Sequence, residues 1–77
     1  MRFSFMKSYQ RIRDLREDAD KRQRDVANDL GMRLTTYRNY ELGTREPPFE
    51  FMIKLAKYYN VSLDYFAGFV DTPKKLF

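Results

Sequence analysis

Residues 23–40 read QRDVANDLGMRLTTYRNY. Val26, Ala27 and Leu30 recur at the spacing of one face of a helix. Gly31 follows that stripe, where a residue in the left-handed conformation closes a helix and glycine carries no Cβ penalty. Met32 places an apolar anchor in the turn, and Tyr37, Tyr40 and Glu41 form the next stripe. Ala27 is small enough to let two helices cross closely. The spaced apolar residues then fix the crossing near ~90–120°.

This is the spacing of a helix-turn-helix unit, with one side of the second helix left free. With Tyr37 and Tyr40 turned inward, a rotation of ~100° per residue points Thr35, Arg38, Asn39 and Leu42 outward. Leu34 and Thr36 fall on the flanks. Asn can bond adenine in two places, Arg can do so with guanine, and Thr or Leu can touch a thymine methyl. Such a helix fits the major groove of double-stranded DNA, N-terminus first.

Other helical stripes flank this unit. Tyr9, Ile12, Leu15 and Ala19 predict a helix over roughly residues 7–19. Phe49, Met52, Ile53, Ala56 and Tyr59, widened by Leu55, predict a fourth helix after Pro47-Pro48. Leu63 and Phe66, with Phe69 or Val70, predict a short fifth. Ser62 is its expected N-cap, with Asp64 in the first turn. No segment alternates like a strand. The expected fold is all-α: five short helices that persist only by packing their apolar stripes together. Residues 1–6 read as a leader, 7–70 as the domain and 71–77 as a tail.

Composition narrows the chemistry. The 77 residues are enough for one domain, and 43% hydrophobic with 17% aromatic content is too apolar for a disordered chain. There is no cysteine and no histidine, which removes disulfides, thiolate zinc sites, cysteine nucleophiles and the commonest general base. The carboxylates of Asp14, Glu17 and Asp18 cluster on an exposed helix face without a pocket, so no enzyme is expected. No cofactor, metal or small-molecule substrate is implied. No apolar run approaches the ~18 residues of a membrane span, and the expected location is the cytoplasm. The net charge of +4 sits in the middle of the chain: residues 21–45 carry six basic and three acidic side chains. A basic stretch there suits a polyanion.

The sequence resembles the Cro/XRE-type helix-turn-helix regulators, the DNA-binding fold of phage repressors. The likeness lies in RIRDLRED (11–18), RQRDVANDLGM (22–32), TTYRNYELGTREPP (35–48) and IKLAKYYNVSLDYFAG (53–68), and covers roughly residues 8–70. It implies a compact five-helix domain that binds an operator in double-stranded DNA and acts as a repressor. By the same resemblance Gln23 bonds a phosphate at the start of the second helix. Thr35, Arg38 and Asn39 read bases, with Leu34 and Thr36 beside them. Thr44 and Arg45 touch the backbone from the loop after Gly43. Arg16 and Glu41 form a largely buried ion pair between the first and third helices. A homodimer through the last helix and tail is implied, with Phe69, Val70, Leu76 and Phe77 covering the core end or meeting a second subunit.

Some residues depart from the family pattern. Arg22 and Arg33 stand where a Ser or Thr cap is usual, and neither has a side-chain acceptor. Asp20 with Gln23 offers a substitute capping box, and Arg33 is expected to reach a phosphate. Tyr37 replaces an aliphatic residue, so its hydroxyl is expected at the core edge. Tyr58 is the tyrosine expected to be exposed, and Arg11, Arg13 and Arg24 are expected to form a solvated face. The alternative function is a protein-interaction module, such as an antitoxin-like partner, which Leu34, Leu42 and the apolar tail would favour.

Overall fold

A computed structural model describes residues 5–67, with side chains from Gln10 to Phe66. Five helices follow in order: α1 (Phe5–Asp18), α2 (Gln23–Asp29), α3 (Leu34–Leu42), α4 (Phe49–Tyr59) and α5 (Leu63–Ala67). No strand occurs among the described residues. The expectations placed on Phe69, Val70, Leu76, Phe77 and the tail lie outside the described residues, and that on Tyr9 outside the described side chains.

Helix α1 begins two residues before the expected boundary and stops at Asp18. Asp20 takes a positive φ of 56°, and the Lys21 N–H closes back onto the Arg16 carbonyl at 3.1 Å. Ala19 therefore lies in the turn and is exposed, not in the apolar stripe. Arg22 caps α2 in an unexpected way. The Asp20–Gln23 box is not formed; instead Asp25 Oδ2 accepts the Arg22 backbone N–H at 3.0 Å. This is the carboxylate half of a capping box, and Arg22 has no oxygen to supply the other half.

The turn after α2 needs glycine for its backbone alone. Gly31 has φ 69°, and a Cβ there would meet nothing within 4 Å. The Gly31 N–H bonds the Asn28 carbonyl at 3.1 Å, and the Met32 N–H bonds Ala27 at 3.0 Å. That pair of bonds is a Schellman closure. Gly43, with φ 80°, closes α3 through bonds to the Asn39 carbonyl from its own N–H (3.0 Å) and from Thr44 (3.1 Å). Asn60 does the same for α4 with φ 55°. Ser62 does not cap α5 with its side chain. Its hydroxyl oxygen is buried without a hydrogen-bond partner, while its carbonyl accepts the Tyr65 N–H at 3.3 Å.

The core gathers Ile12 and Leu15 from α1, Val26 and Ala27 from α2, and Tyr37 from α3. Phe51, Met52, Leu55 and Ala56 from α4 join them, with Val61, Tyr65 and Phe66. Helix α1 packs on α3 and α5, α2 on α3, and α4 on α5. Burying a side chain of this size stabilises by about 1.5–3 kcal/mol. The α4 stripe is rotated from its expected setting. Phe49 is 69% exposed, and Phe51 is buried in its place against Tyr40 (ring centroids 4.7 Å apart) and Tyr37 (6.2 Å).

Three further expectations are corrected. Tyr37 sits at 0% exposure in the centre of the core, not at its edge. Arg11 is buried, not solvated. Its guanidinium donates to the Tyr65 carbonyl and lies 4.2 Å from the centre of that ring, tying α1 to α5. Tyr58 is half-buried: its hydroxyl bonds Asp29, and Lys21 lies 5.6 Å from its ring centre.

Candidate nucleic-acid interface

Helix α3 has two unlike sides. Tyr37 and Glu41 are buried on its underside, and Tyr40 packs half-buried beside them. Thr35 and Arg38 are exposed on the other side, Asn39 is half-buried, and Leu42 is 69% exposed. Thr36 is half-buried on one flank. Leu34 is also half-buried and packs against the core, so only part of its side chain remains on the outer side. Arg33 and Arg45 are exposed just beyond the two ends of the helix, and Arg33 makes no side-chain cap bond.

The underside is held by a fork of hydrogen bonds. Arg16 Nη2 meets Glu41 Oε1 at 2.9 Å, and Arg16 Nε meets Oε2 at 3.1 Å. Arg16 Nη1 also donates to the Lys21 carbonyl at 2.8 Å, so one guanidinium joins α1, α3 and the α1–α2 turn. The side chains are 14% and 3% exposed. Burial alone would raise the Glu41 pKa. The Arg16 hydrogen bonds and charge outweigh it and hold the carboxyl below its usual value. Its hydrogen bonds to the Glu41 carboxylate keep Arg16 firmly charged. The Tyr37 hydroxyl points towards the Glu41 carboxylate but falls short of good hydrogen-bond geometry, and burial, followed by this contact with Glu41 and its charge, pushes the phenol well up.

Two links reach from this frame to the outer side. Gln23 Nε2 donates to Glu41 Oε1 at 3.4 Å, and Gln23 Oε1 accepts from Arg38 Nε at 3.2 Å. Both ends of the Gln23 amide are thus engaged within the protein. The Arg38 Nη groups, two bonds further out, carry the remaining donors. At the other end of α3, the Thr44 hydroxyl donates to Asn39 Oδ1 at 3.0 Å.

Arg22, Gln23, Arg24, Leu34 and Arg38 line a shallow cleft of about 210 Å³ between α2 and α3. Arg22 and Arg24, from the start of α2, thus lie beside Arg38 of α3, which brings part of the basic stretch 21–45 together on one edge. Arg11, Arg13 and Arg24, expected on one solvated face, lie apart. Arg11 is buried, and Arg13 bonds Glu17 at 3.4 Å on the exposed side of α1. The described residues hold no group of three or more His, Cys, Asp or Glu that could bind a metal ion. None of their helices is long and apolar enough to cross a membrane.

A helix clamped from below, with a Thr–Arg–Asn edge above and guanidiniums at its margins, can offer hydrogen bonds to base edges and charge to phosphates. A helix-turn-helix family model matches residues 12–66, a span that takes in the α2–turn–α3 unit and the Arg16–Glu41 frame. The chain belongs to the Cro/XRE-type helix-turn-helix family. Among curated relatives, it is 47% identical over 53 residues to the cryptic phage CTXphi transcriptional repressor RstR of Vibrio cholerae, covering 69% of this chain and 48% of that protein. It is 34% identical over 64 residues to the uncharacterized HTH-type transcriptional regulator YobD of Bacillus subtilis, covering 83% and 57%. It is also 34% identical over 65 residues to the HTH-type transcriptional regulator ImmR of the same species, covering 84% and 51%. The chain spans about half the length of these relatives. No solved structure matches it significantly.

Proposed function

We propose that the chain is a sequence-specific double-stranded DNA-binding transcriptional regulator, acting as a repressor in the cytoplasm and reading the major groove with α3. The observation that carries this reading is the two-sided build of α3: Tyr37 and Glu41 buried beneath, Thr35, Arg38 and Asn39 presented above. Thr35, Arg38 and Asn39 meet base edges, with Leu34 and Thr36 at the margins. Arg33 and Arg45 meet phosphates, as do Arg22 and Arg24 from the cleft, with Gln23 and Thr44 close by. Relatives named as transcriptional repressors and regulators support the same reading. The protein works as a homodimer on a near-palindromic operator whose half-sites lie ~34–36 Å apart.

Selection from a random duplex pool, followed by titration at several salt concentrations, tests this. A recovered motif with two related halves supports the reading. With about three to five phosphate contacts per subunit, log affinity falls against log salt with a slope of roughly −5 to −9. No enrichment at low salt, or binding independent of salt, contradicts it.

A second reading has an observation of its own. Leu42 and Phe49 are large, apolar and exposed, at either end of the loop between α3 and α4. A protein-interaction module would use such residues, and binding of a protein partner with no duplex selection would favour it.

A further inference from the structure

The loop that follows α3 converges on one residue. The Asn39 carbonyl accepts the backbone N–H groups of Gly43 (3.0 Å), Thr44 (3.1 Å) and Arg45 (3.3 Å). The Thr44 Oγ1 lies 3.3 Å from that carbonyl and 3.0 Å from the Asn39 side-chain Oδ1. The carbonyl is already served by three donors, so the single hydroxyl proton goes to Oδ1, the shorter contact and the less occupied acceptor.

This fixes more than a side-chain position. An asparagine amide has an acceptor end and a donor end, and rotation by half a turn exchanges them. Adenine presents a donor (N6) and an acceptor (N7) in the major groove, so the amide matches it in one orientation only. With Thr44 donating to Oδ1, the acceptor end faces the loop and Nδ2 the opposite side; in the reverse orientation Nδ2 would donate to the hydroxyl, whose own proton would be left with the Asn39 carbonyl at 3.3 Å that three N–H groups already fill, so the first orientation is favoured. Oδ1 keeps a second lone pair for the base. Without the hydroxyl, both orientations are equally open to the amide, and either its donor or its acceptor end can face a given base edge.

We infer that Thr44 is a specificity-determining positioning residue, which acts through the Asn39 amide to restrict the base pair that Asn39 accepts. The inference rests on the reading of α3 as a base-contacting helix and gives Thr44 a role distinct from a phosphate contact. Thr44 is exposed and lies beyond the end of α3, so its substitution leaves the core intact.

The test compares the 77-residue chain with its Thr44→Val, Thr44→Ser and Asn39→Ala variants. Selected duplex pools are sequenced for each, and the side-chain amide signals of Asn39 are followed by NMR in the free protein. Asn39→Ala identifies the motif column that Asn39 reads. In Thr44→Val, which keeps the shape and removes the hydroxyl, preference at that column falls from about ten-fold or more to under about three-fold, and the Asn39 amide signals shift. Thr44→Ser restores both. A Thr44→Val motif as sharp as the parent's, with affinity lowered evenly across sequences, overturns the inference and leaves a phosphate contact. Unmoved Asn39 amide signals overturn it independently of DNA. A parent chain that selects no duplex at all overturns the base-reading helix and this inference together, whereas a selective parent with an unchanged Thr44→Val column overturns only this inference.

Discussion

Arg16 and Glu41 face each other across 25 residues of sequence as a two-bond fork, at 2.9 and 3.1 Å, between α1 and the buried side of α3. The pair sets how α3 is rolled, and therefore which residues reach its outer edge. A buried pair of this kind adds little net stability, because desolvation offsets the attraction. Removing one member is different, since it strands a charge.

Arg16→Met is expected to destabilise the fold by about 3–5 kcal/mol, since Glu41 would remain buried without its donor. The double variant Arg16→Met, Glu41→Leu is expected to recover most of that loss while weakening selective DNA binding, because α3 loses its roll restraint. Urea denaturation of the two single variants and the double measures the coupling. Additive losses in the cycle would contradict a direct pair.

The same pair sets an acid limit. Although burial opposes it, the Glu41 pKa is held below its ordinary value of 4.5 by Arg16, so the folded state binds the Glu41 proton less tightly than the unfolded state. Its contribution is fully present above about pH 4.5 and is lost as pH falls through the depressed folded value. Asp25, lowered chiefly by its hydrogen bonds with Arg22, acts in the same direction on the surface, where solvent screens it. The chain has no histidine, so stability is expected to be flat between about pH 5.5 and 7. Melting temperatures across pH 2–7 for the parent and Glu41→Gln check this. The variant should show a shallower acid limb, and an unchanged limb would count against the assignment.

Tyr37 offers a gain. Its hydroxyl is buried with no hydrogen-bond partner, and burying a bare hydroxyl costs about 1–3 kcal/mol. Tyr37→Phe keeps the ring against Phe51 and removes the unpaired group, so the variant is expected to be about 1 kcal/mol more stable. A higher urea midpoint with unchanged slope shows it, and a loss of comparable size would mean the hydroxyl has a partner in solution.

Arg11 ties the first and last described helices through the Tyr65 carbonyl and ring. Arg11→Met retains the apolar stem and removes the donor. A hydrogen bond to a charged group is worth about 1.5–3 kcal/mol, and the loss should concentrate in α5. Hydrogen exchange at α5 amides is expected to accelerate more than at α2 or α3. Uniform acceleration would show that Arg11 does not act locally.

Much of this architecture could be read in the sequence where local chemistry decides it. Gly31 and Gly43 mark the ends of α2 and α3 because only a backbone at positive φ closes them there. Leu42, directly before Gly43, is accordingly the last residue of α3. Phe49 and Phe51 could not be separated in this way. Glu50, Lys54 and Lys57 mark the solvent side of α4, and the two phenylalanines lie at similar angles from it. Tyr37 and Tyr40 decide between them, by packing on Phe51 from another helix. Arg11 was illegible for the same reason, its acceptor being a backbone carbonyl 54 residues away. Arg24 joins Arg38 only after α2 crosses α3.

In the proposed function the outer edge of α3 reads bases while the residues at its ends hold phosphates. Duplex selection with Asn39→Ala and Arg45→Ala beside the parent tests it most directly. Asn39→Ala is expected to flatten one motif column by about 1–3 kcal/mol, and Arg45→Ala to weaken all sequences equally and reduce the salt slope by about one per site. An Asn39→Ala motif indistinguishable from the parent's would contradict the claim.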